Sequence, residues 1–294
     1  MKRAAKVNVA LYTLLVFIYC ALTYFFHPAS IGVMWSPAVA AIMVSLLRRR
    51  SLAKIGWKLG RIKWLVAGWV IPVAVSFAAY GLIWIAGLGT VPNPTFLQRA
   101  RFTLGMTSPS NGVVIIAAFV YISILGLLPG MVGALGEEIG WRGFLVPELA
   151  EWMSFPRTAL VSGSIWCVWH MPAILSGSYG TPDTPRWYQI GCFSAMVLSS
   201  AVVLAWLRVK SGSIWPATVM HATHNGVIQV FFDRITKDTG HTHYFSGEFG
   251  VALVLFFAGL AFYCISDREG LADSNDALEI PPVGAPRFRT SSHV

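Results

Sequence analysis

Hydrophobic and polar positions along this chain do not alternate with the period of two expected of half-buried strands. They gather instead into long, nearly unbroken apolar runs separated by short polar stretches. Eight runs approach or exceed the roughly 18 residues that mark a membrane-spanning helix. They lie near 7–26, 31–47, 64–88, 113–133, 157–175, 187–207, 212–232 and 248–266. Lipid offers the backbone no hydrogen-bond partner, so a spanning segment must be a helix or part of a closed barrel, and continuous runs are not the barrel's alternating pattern. The pattern predicts an all-α polytopic membrane protein with about eight transmembrane helices.

Composition sharpens this reading. Of 294 residues, 55% are hydrophobic and 12% charged, against about 25% charged in a soluble domain. The first run follows Met-Lys-Arg-Ala-Ala-Lys, which resembles the basic start of a signal peptide, but the run is long and lacks a small-x-small cleavage site, so an uncleaved first span is expected. No repeat and no long linker divides residues 1–267, which read as one membrane domain. Residues 89–112 hold a short mixed apolar and basic piece that would suit either an interfacial helix or an exposed loop. Residues 268–294, rich in acids, Pro and Ser, are expected to form a disordered tail.

The net charge of +9 would suit a nucleic-acid partner, but in a membrane protein it first reports topology. With the N-terminus inside and eight crossings, seventeen of the twenty-two Lys and Arg lie on the inner side. Arg48, Arg49, Arg50, Lys54, Lys58, Arg61 and Lys63 share one inner loop that would meet anionic headgroups. Membrane lipids are therefore the expected partners of these cations, both termini are expected in the cytoplasm, and no nucleic acid is implied. Counting residues 134–150 as a ninth crossing would weaken this bias. A helix that dips into the membrane, or the second half of a helix broken at Pro129-Gly130, suits the charges better. Cys20, Cys167, Cys192 and Cys264 all fall in apolar runs without C-x-x-C spacing, so neither a disulfide framework nor a zinc cluster is expected.

Candidate chemistry comes from the polar groups inside apolar runs, since a charged side chain at a helix centre costs about 2.5–3.5 kcal/mol on insertion scales. They are Glu137, Glu138 and Arg142 in GALGEEIGWRGFLVPEL, His170 in SIWCVWHMP, and His221, His224 and Asn225 in SIWPATVMHATHNG. Glu138 and Arg142 are i and i+4, in the favourable order for an ion pair. Glu137 is rotated by about 100° from Glu138 and is the acid this arginine does not neutralise. A desolvated carboxylate without a paired cation is a competent general base near neutrality, and His170 is its candidate partner. His221 and Asn225 share a helix face and offer the donors a developing oxyanion needs. His224 lies on a neighbouring face and reads as structural, and Trp166, one turn before His170, would wall the site. The plain alternative is that all these groups hold helices together.

Taken in order, Glu137-Glu138-x-x-x-Arg142, Trp166-x-x-x-His170 and His221-x-x-x-Asn225 resemble the motifs of the CAAX protease and bacteriocin-processing enzyme family of intramembrane glutamate-dependent proteases. The resemblance covers roughly residues 113–232. It implies an intramembrane catalytic cavity, conical or bundled, opening towards the inner face. Carried over residue by residue, it makes Glu137 and His170 the water-activating pair and His221 and Asn225 the oxyanion hole, with Glu138, Arg142 and Trp166 supporting. The second motif of the family usually begins with Phe, where this chain has Trp166. The implied reaction is peptide hydrolysis without a cofactor, on a membrane-embedded or lipidated substrate, either in CAAX prenyl-protein processing or in bacteriocin-type maturation.

Two other readings remain open. The same residues would serve as zinc ligands, although no H-E-x-x-H is present. A non-enzymatic scaffold or transporter would use buried Glu, Arg and His as structural pairs or proton relays, although no inverted repeat is visible.

Overall fold

The computed structural model describes residues 2–26 and 31–267, and the disorder expected for 268–294 lies outside them. Among the described residues there is no strand, only an isolated bridge between Thr90 and Lys237, and the structure is an all-α bundle. The long helices are α1 (Lys2–Phe26), α2 (Ile31–Leu47), α3 (Ile62–Ile85), α8 (Phe155–Ser176), α9 (Arg186–Ser211) and α12 (Val251–Ser266). Between α3 and α8 run α4 (Pro94–Leu104), α5 (Asn111–Val120), α6 (Leu127–Glu138) and α7 (Val146–Ala150). Between α9 and α12 lie α10 (Trp215–His224) and the short α11 (Asp233–Ile235). Every predicted run falls largely on helix. By length and composition four helices can cross a membrane, or five with a bent pair taken as one, while α2 and α12 are shorter apolar helices. The protein is thus a multi-pass helical membrane protein.

Contacts define two ends. At one, Glu148 of α7 pairs with Arg50 just after α2 and accepts from Asn8 of α1 at 2.8 Å. Trp215 at the start of α10 donates to the carbonyl of Trp57, and Lys210 of α9 pairs with Asp267 after α12. This end carries the basic loop. At the other end the loop 177–185 meets the loop 236–250 through Thr181 and His243 at 3.0 Å, and Tyr188 at the start of α9 donates to the carbonyl of Tyr244. In the stretch 89–112, α4 is capped by Asn93 and tied to α5 by Arg101, which donates to Asn111.

The segment that carries the two glutamates extends the preceding helix. Asn111–Leu125 and Leu127–Ala150 meet at a bend of 42°, and α7 packs beside α1 and α8. The break falls at Gly126 rather than at Pro129-Gly130. Pro129 is the third residue of α6, where a missing N–H goes unnoticed because first-turn donors have no intrahelical acceptor. Gly126 instead closes a π turn on the carbonyl of Tyr121 at 2.8 Å.

Membrane helices gain little from burying apolar surface against one another, so close packing of small residues holds them together. Gly140 shows why glycines flank the acids: a Cβ there would stand 2.3 Å from Cβ of Pro37 in α2. Gly68 does the same for α3 on α10, since a Cβ there would stand 2.4 Å from the carbonyl oxygen of Pro216. These approaches seat α2 against the segment that follows the glutamates and α3 against α10, while α2 and α10 also pack on α6 and leave Glu137 and Glu138 buried.

Candidate active site

Three helical segments converge here, and two of them change winding at the polar residues. A π segment, Ile139–Leu145, begins directly after Glu138, and another, Asn225–Phe232, begins at Asn225. Such wide turns recur at functional sites because they re-aim side chains.

The two glutamates are both buried but have different partners. Glu138 Oε1 accepts from Arg142 Nη1 at 2.8 Å and from His221 Nδ1 at 2.9 Å. The i,i+4 pair read from spacing is therefore present, and the structure adds a histidine to it. Glu137 Oε2 accepts from the indole Nε1 of Trp166 at 2.8 Å and from that of Trp141 at 3.4 Å. Among the described residues no cation pairs with Glu137, so its charge is oriented but not cancelled. The Arg142 guanidinium lies over the ring of Trp166, 4.5 Å from its centroid.

Both histidines have one nitrogen committed. His170 Nδ1 lies 3.0 Å from the carbonyl of Trp166. A carbonyl only accepts, so this contact places a proton on Nδ1 and leaves Nε2 with its lone pair. The ring is held by Trp169, Phe193 and Tyr179, with centroids 4.7, 5.0 and 5.9 Å away. His221 gives Nδ1 to Glu138, which fixes the ring plane and frees Nε2.

Glu137, His170, His221 and Asn225 line one cavity of about 610 Å³, whose other walls include Met34, Met196, Val197 and Leu204. Trp166 forms part of the wall, while Glu138 and Arg142 stand behind it. The lining reaches Ile31 and Val33 at the start of α2, and Ser178, Tyr179 and Glu248 in the two loops of the second end. No residue of the basic loop 48–63 takes part. The expectation that the cavity faces the cation-rich side is therefore corrected. The reason is positional, because His170 lies six residues before the C-terminus of α8, which points to the loop 177–185.

Residues that sequence reasoning missed complete the wall. Glu248 accepts from His224 at 2.8 Å through Oε1 and from the Tyr179 hydroxyl through Oε2. Gln229 reaches the same hydroxyl at 3.4 Å. The structural role read for His224 is thus a hydrogen bond that ties α10 to the loop before α12. Glu248 and Tyr179 sit in short polar loops, where only contact order, not local pattern, distinguishes them. Among the described residues no three His, Cys, Asp or Glu side chains are placed to share a metal ion. One atom of each group in the zinc alternative is hydrogen-bonded to protein, Glu137 Oε2, Glu138 Oε1, His170 Nδ1 and His221 Nδ1, and no step is routed through a metal.

The fold and the site together define a class: a helical, multi-pass membrane protein in which ionisable side chains from three sequence-distant segments converge on one intramembrane cavity. Residues 118–227 match the family model described as type II CAAX prenyl endopeptidase Rce1-like. A curated protein similar to this chain is CAAX prenyl protease 2 of Methanococcus maripaludis, 29% identical over 123 residues. That match takes in 40% of this chain and 44% of the relative, so the likeness spans less than half of either protein. The core segment of the chain is thus similar to the CAAX prenyl endopeptidases.

Proposed function

We propose that this protein is an intramembrane endopeptidase that needs no cofactor, and that its substrate is a membrane-embedded or lipidated peptide, first among them a prenylated protein C-terminus. The observation that carries the reading is the convergence of Glu137, His170, His221 and Asn225 on one cavity. The name of the Methanococcus relative supports a prenylated substrate, and the apolar walls suit a lipid or a hydrophobic peptide. Bacteriocin-type maturation would use the same chemistry on an unprenylated peptide.

In this mechanism a water sits between Glu137 and Nε2 of His170, and a carboxylate and a lone-pair nitrogen together draw off its proton. The hydroxide attacks the peptide carbonyl, and the carbonyl oxygen becomes the oxyanion. Asn225 donates to that oxygen through its amide, and His221 through Nε2. Donation from both His221 nitrogens requires the imidazolium, whose charge then lies between the Glu138 carboxylate and the oxyanion, opposite in sign to each. Collapse breaks the C–N bond, and the proton taken from water passes to the leaving nitrogen.

The test is cleavage of prenylated and unprenylated peptides by detergent-purified protein, beside Glu137→Gln. Cleavage by the wild type that is lost in a folded Glu137→Gln protein supports the proposal. No cleavage by the wild type, or a Glu137→Gln protein that misfolds, favours a scaffold or transporter. Activity should survive metal stripping; loss that zinc alone restores would make these residues metal ligands.

Orientation follows from charge: we place the basic end and both termini in the cytoplasm. The cavity then approaches the opposite face, and a substrate made in the cytoplasm must enter from within the bilayer. Labelling of a single cysteine introduced at Ser178 in intact cells tests this. Protection from an impermeant reagent would reverse the orientation.

A further inference from the structure

We propose that Trp166 is a positioning residue for both members of the water-activating pair, acting through its indole N–H on Glu137 and its main-chain carbonyl on His170. The inference rests on the functional reading above and goes beyond it, because it assigns the basic oxygen of Glu137.

Trp166 touches each part of the site. Its N–H is 2.8 Å from Glu137 Oε2, and its carbonyl holds His170 Nδ1 at 3.0 Å. Its ring lies 5.4 Å from that of His221 and beneath the Arg142 guanidinium. The indole of Trp141 reaches the same Oε2. A carboxylate oxygen has two lone-pair directions, and on Oε2 both are taken. Oε1 is therefore the oxygen left to meet water, and two neutral donors hold it in one direction.

Neutrality of the donors matters. An indole N–H carries no net charge, so it orients Glu137 without forming the ion pair that occupies Glu138. Arg142 contributes from a distance. Its Nε and Nη2 have no hydrogen-bond partner, and the guanidinium faces the π cloud of Trp166. A cation there draws electron density from the indole and makes its N–H a stronger donor. Phenylalanine would fill much of this volume and keep the carbonyl contact to His170, but it would leave Oε2 to the longer Trp141 bond alone.

Two variants isolate the N–H. Trp166→Phe removes it together with some volume. Replacement of Trp166 by 3-benzothienylalanine, which exchanges only N–H for sulfur, removes it at constant shape. In the full-length protein in detergent, both should stay folded, with melting temperatures lowered by a few degrees at most in the isostere, and lose about 10- to 100-fold in kcat, the cost of a charge-assisted hydrogen bond. KM should stay within roughly two-fold, since the bond is made to the catalytic base and not to the substrate. Wild-type kcat in the isostere overturns the proposal, and so does a loss confined to KM or to melting temperature. Infrared spectroscopy reads the same contact without turnover: the carboxylate band identified by subtracting Glu137→Gln should shift in the isostere, and an unmoved band overturns the proposal. The two readings fail separately. Wild-type kcat in Glu137→Gln removes the functional reading, whereas an inactive Glu137→Gln beside a fully active isostere removes only the role of Trp166.

Discussion

Glu138→Gln takes one negative charge out of the centre of the bundle and changes almost no volume. Oε1 of Glu138 serves Arg142 at 2.8 Å and His221 at 2.9 Å. The Arg142 and Glu138 side chains keep 1% and 0% of their surface exposed. A glutamine oxygen still accepts a hydrogen bond, but the guanidinium loses its counter-charge in a place water does not reach, and two of its nitrogens already lack partners. Removing one member of a buried pair costs about 3–5 kcal/mol, most of it the penalty of the orphaned charge. Glu137→Gln is the control. Its oxygen accepts from two neutral indoles and would go on doing so, so the expected cost is under about 1 kcal/mol. The assay is reversible unfolding in mixed micelles, with peptide cleavage measured on the same preparations. Glu137→Gln should be stable and inactive, and Glu138→Gln unstable. Adding Arg142→Met to Glu138→Gln should restore most of the lost stability, because the stranded cation is gone. The reasoning is refuted if Glu138→Gln unfolds within about 1 kcal/mol of wild type, or if the double variant is no more stable than the single one.

Other expectations follow from the same structure. Gly140→Ala would drive a methyl group into Pro37, 2.3 Å away at Cβ, and overpacking of this kind costs about 1–3 kcal/mol or more; its folded yield in membranes should fall well below that of an exposed control such as Gly259→Ala. Glu148→Ala would strand Arg50, which keeps 15% side-chain exposure, and should lower stability by about 3 kcal/mol, the lower end for a broken buried pair, as read by unfolding in micelles. In the loop outside the spans, burial works to raise the Glu248 carboxyl, but His224, Tyr179 and Gln229 outweigh it and hold the group at about 2, below its ordinary 4.5. A depressed folded value means that the Glu248 contribution is present above pH 4.5 and is lost as pH falls towards 2. Melting curves of Glu248→Gln should therefore lack the part of the acid destabilisation that wild type shows in that window.

Much of the local structure was legible in the chain. Long apolar runs leave the backbone only one way to satisfy its hydrogen bonds, so helices at 31–47 or 187–207 needed no tertiary information. The Glu138–Arg142 pair was equally legible, because helical geometry places i and i+4 together whatever surrounds them. His170 towards the C-terminal end of α8 carried a signal that went unread: an alternating topology already sends that end away from the basic loop, and the cavity with it. The break at Gly126 was masked by Pro129, whose effect depends on standing within the first turn of α6 and not on its identity.

What sequence by itself determined, then, was everything that depends on near neighbours: helical class, the ion pair within one turn, and the absence of a cation beside Glu137 on its own helix. What only the tertiary structure decided were contacts between residues far apart in the chain, from 24 positions for His224 and Glu248 to 158 for Trp57 and Trp215. Among them are His221 on Glu138, the Trp166 N–H on Glu137 and the Glu248 clasp on His224. The physical reason is that a hydrogen bond or a cavity wall needs atoms within a few ångströms of one another. In a membrane bundle that proximity is set by which small residues let which helices approach, and no local pattern records the outcome.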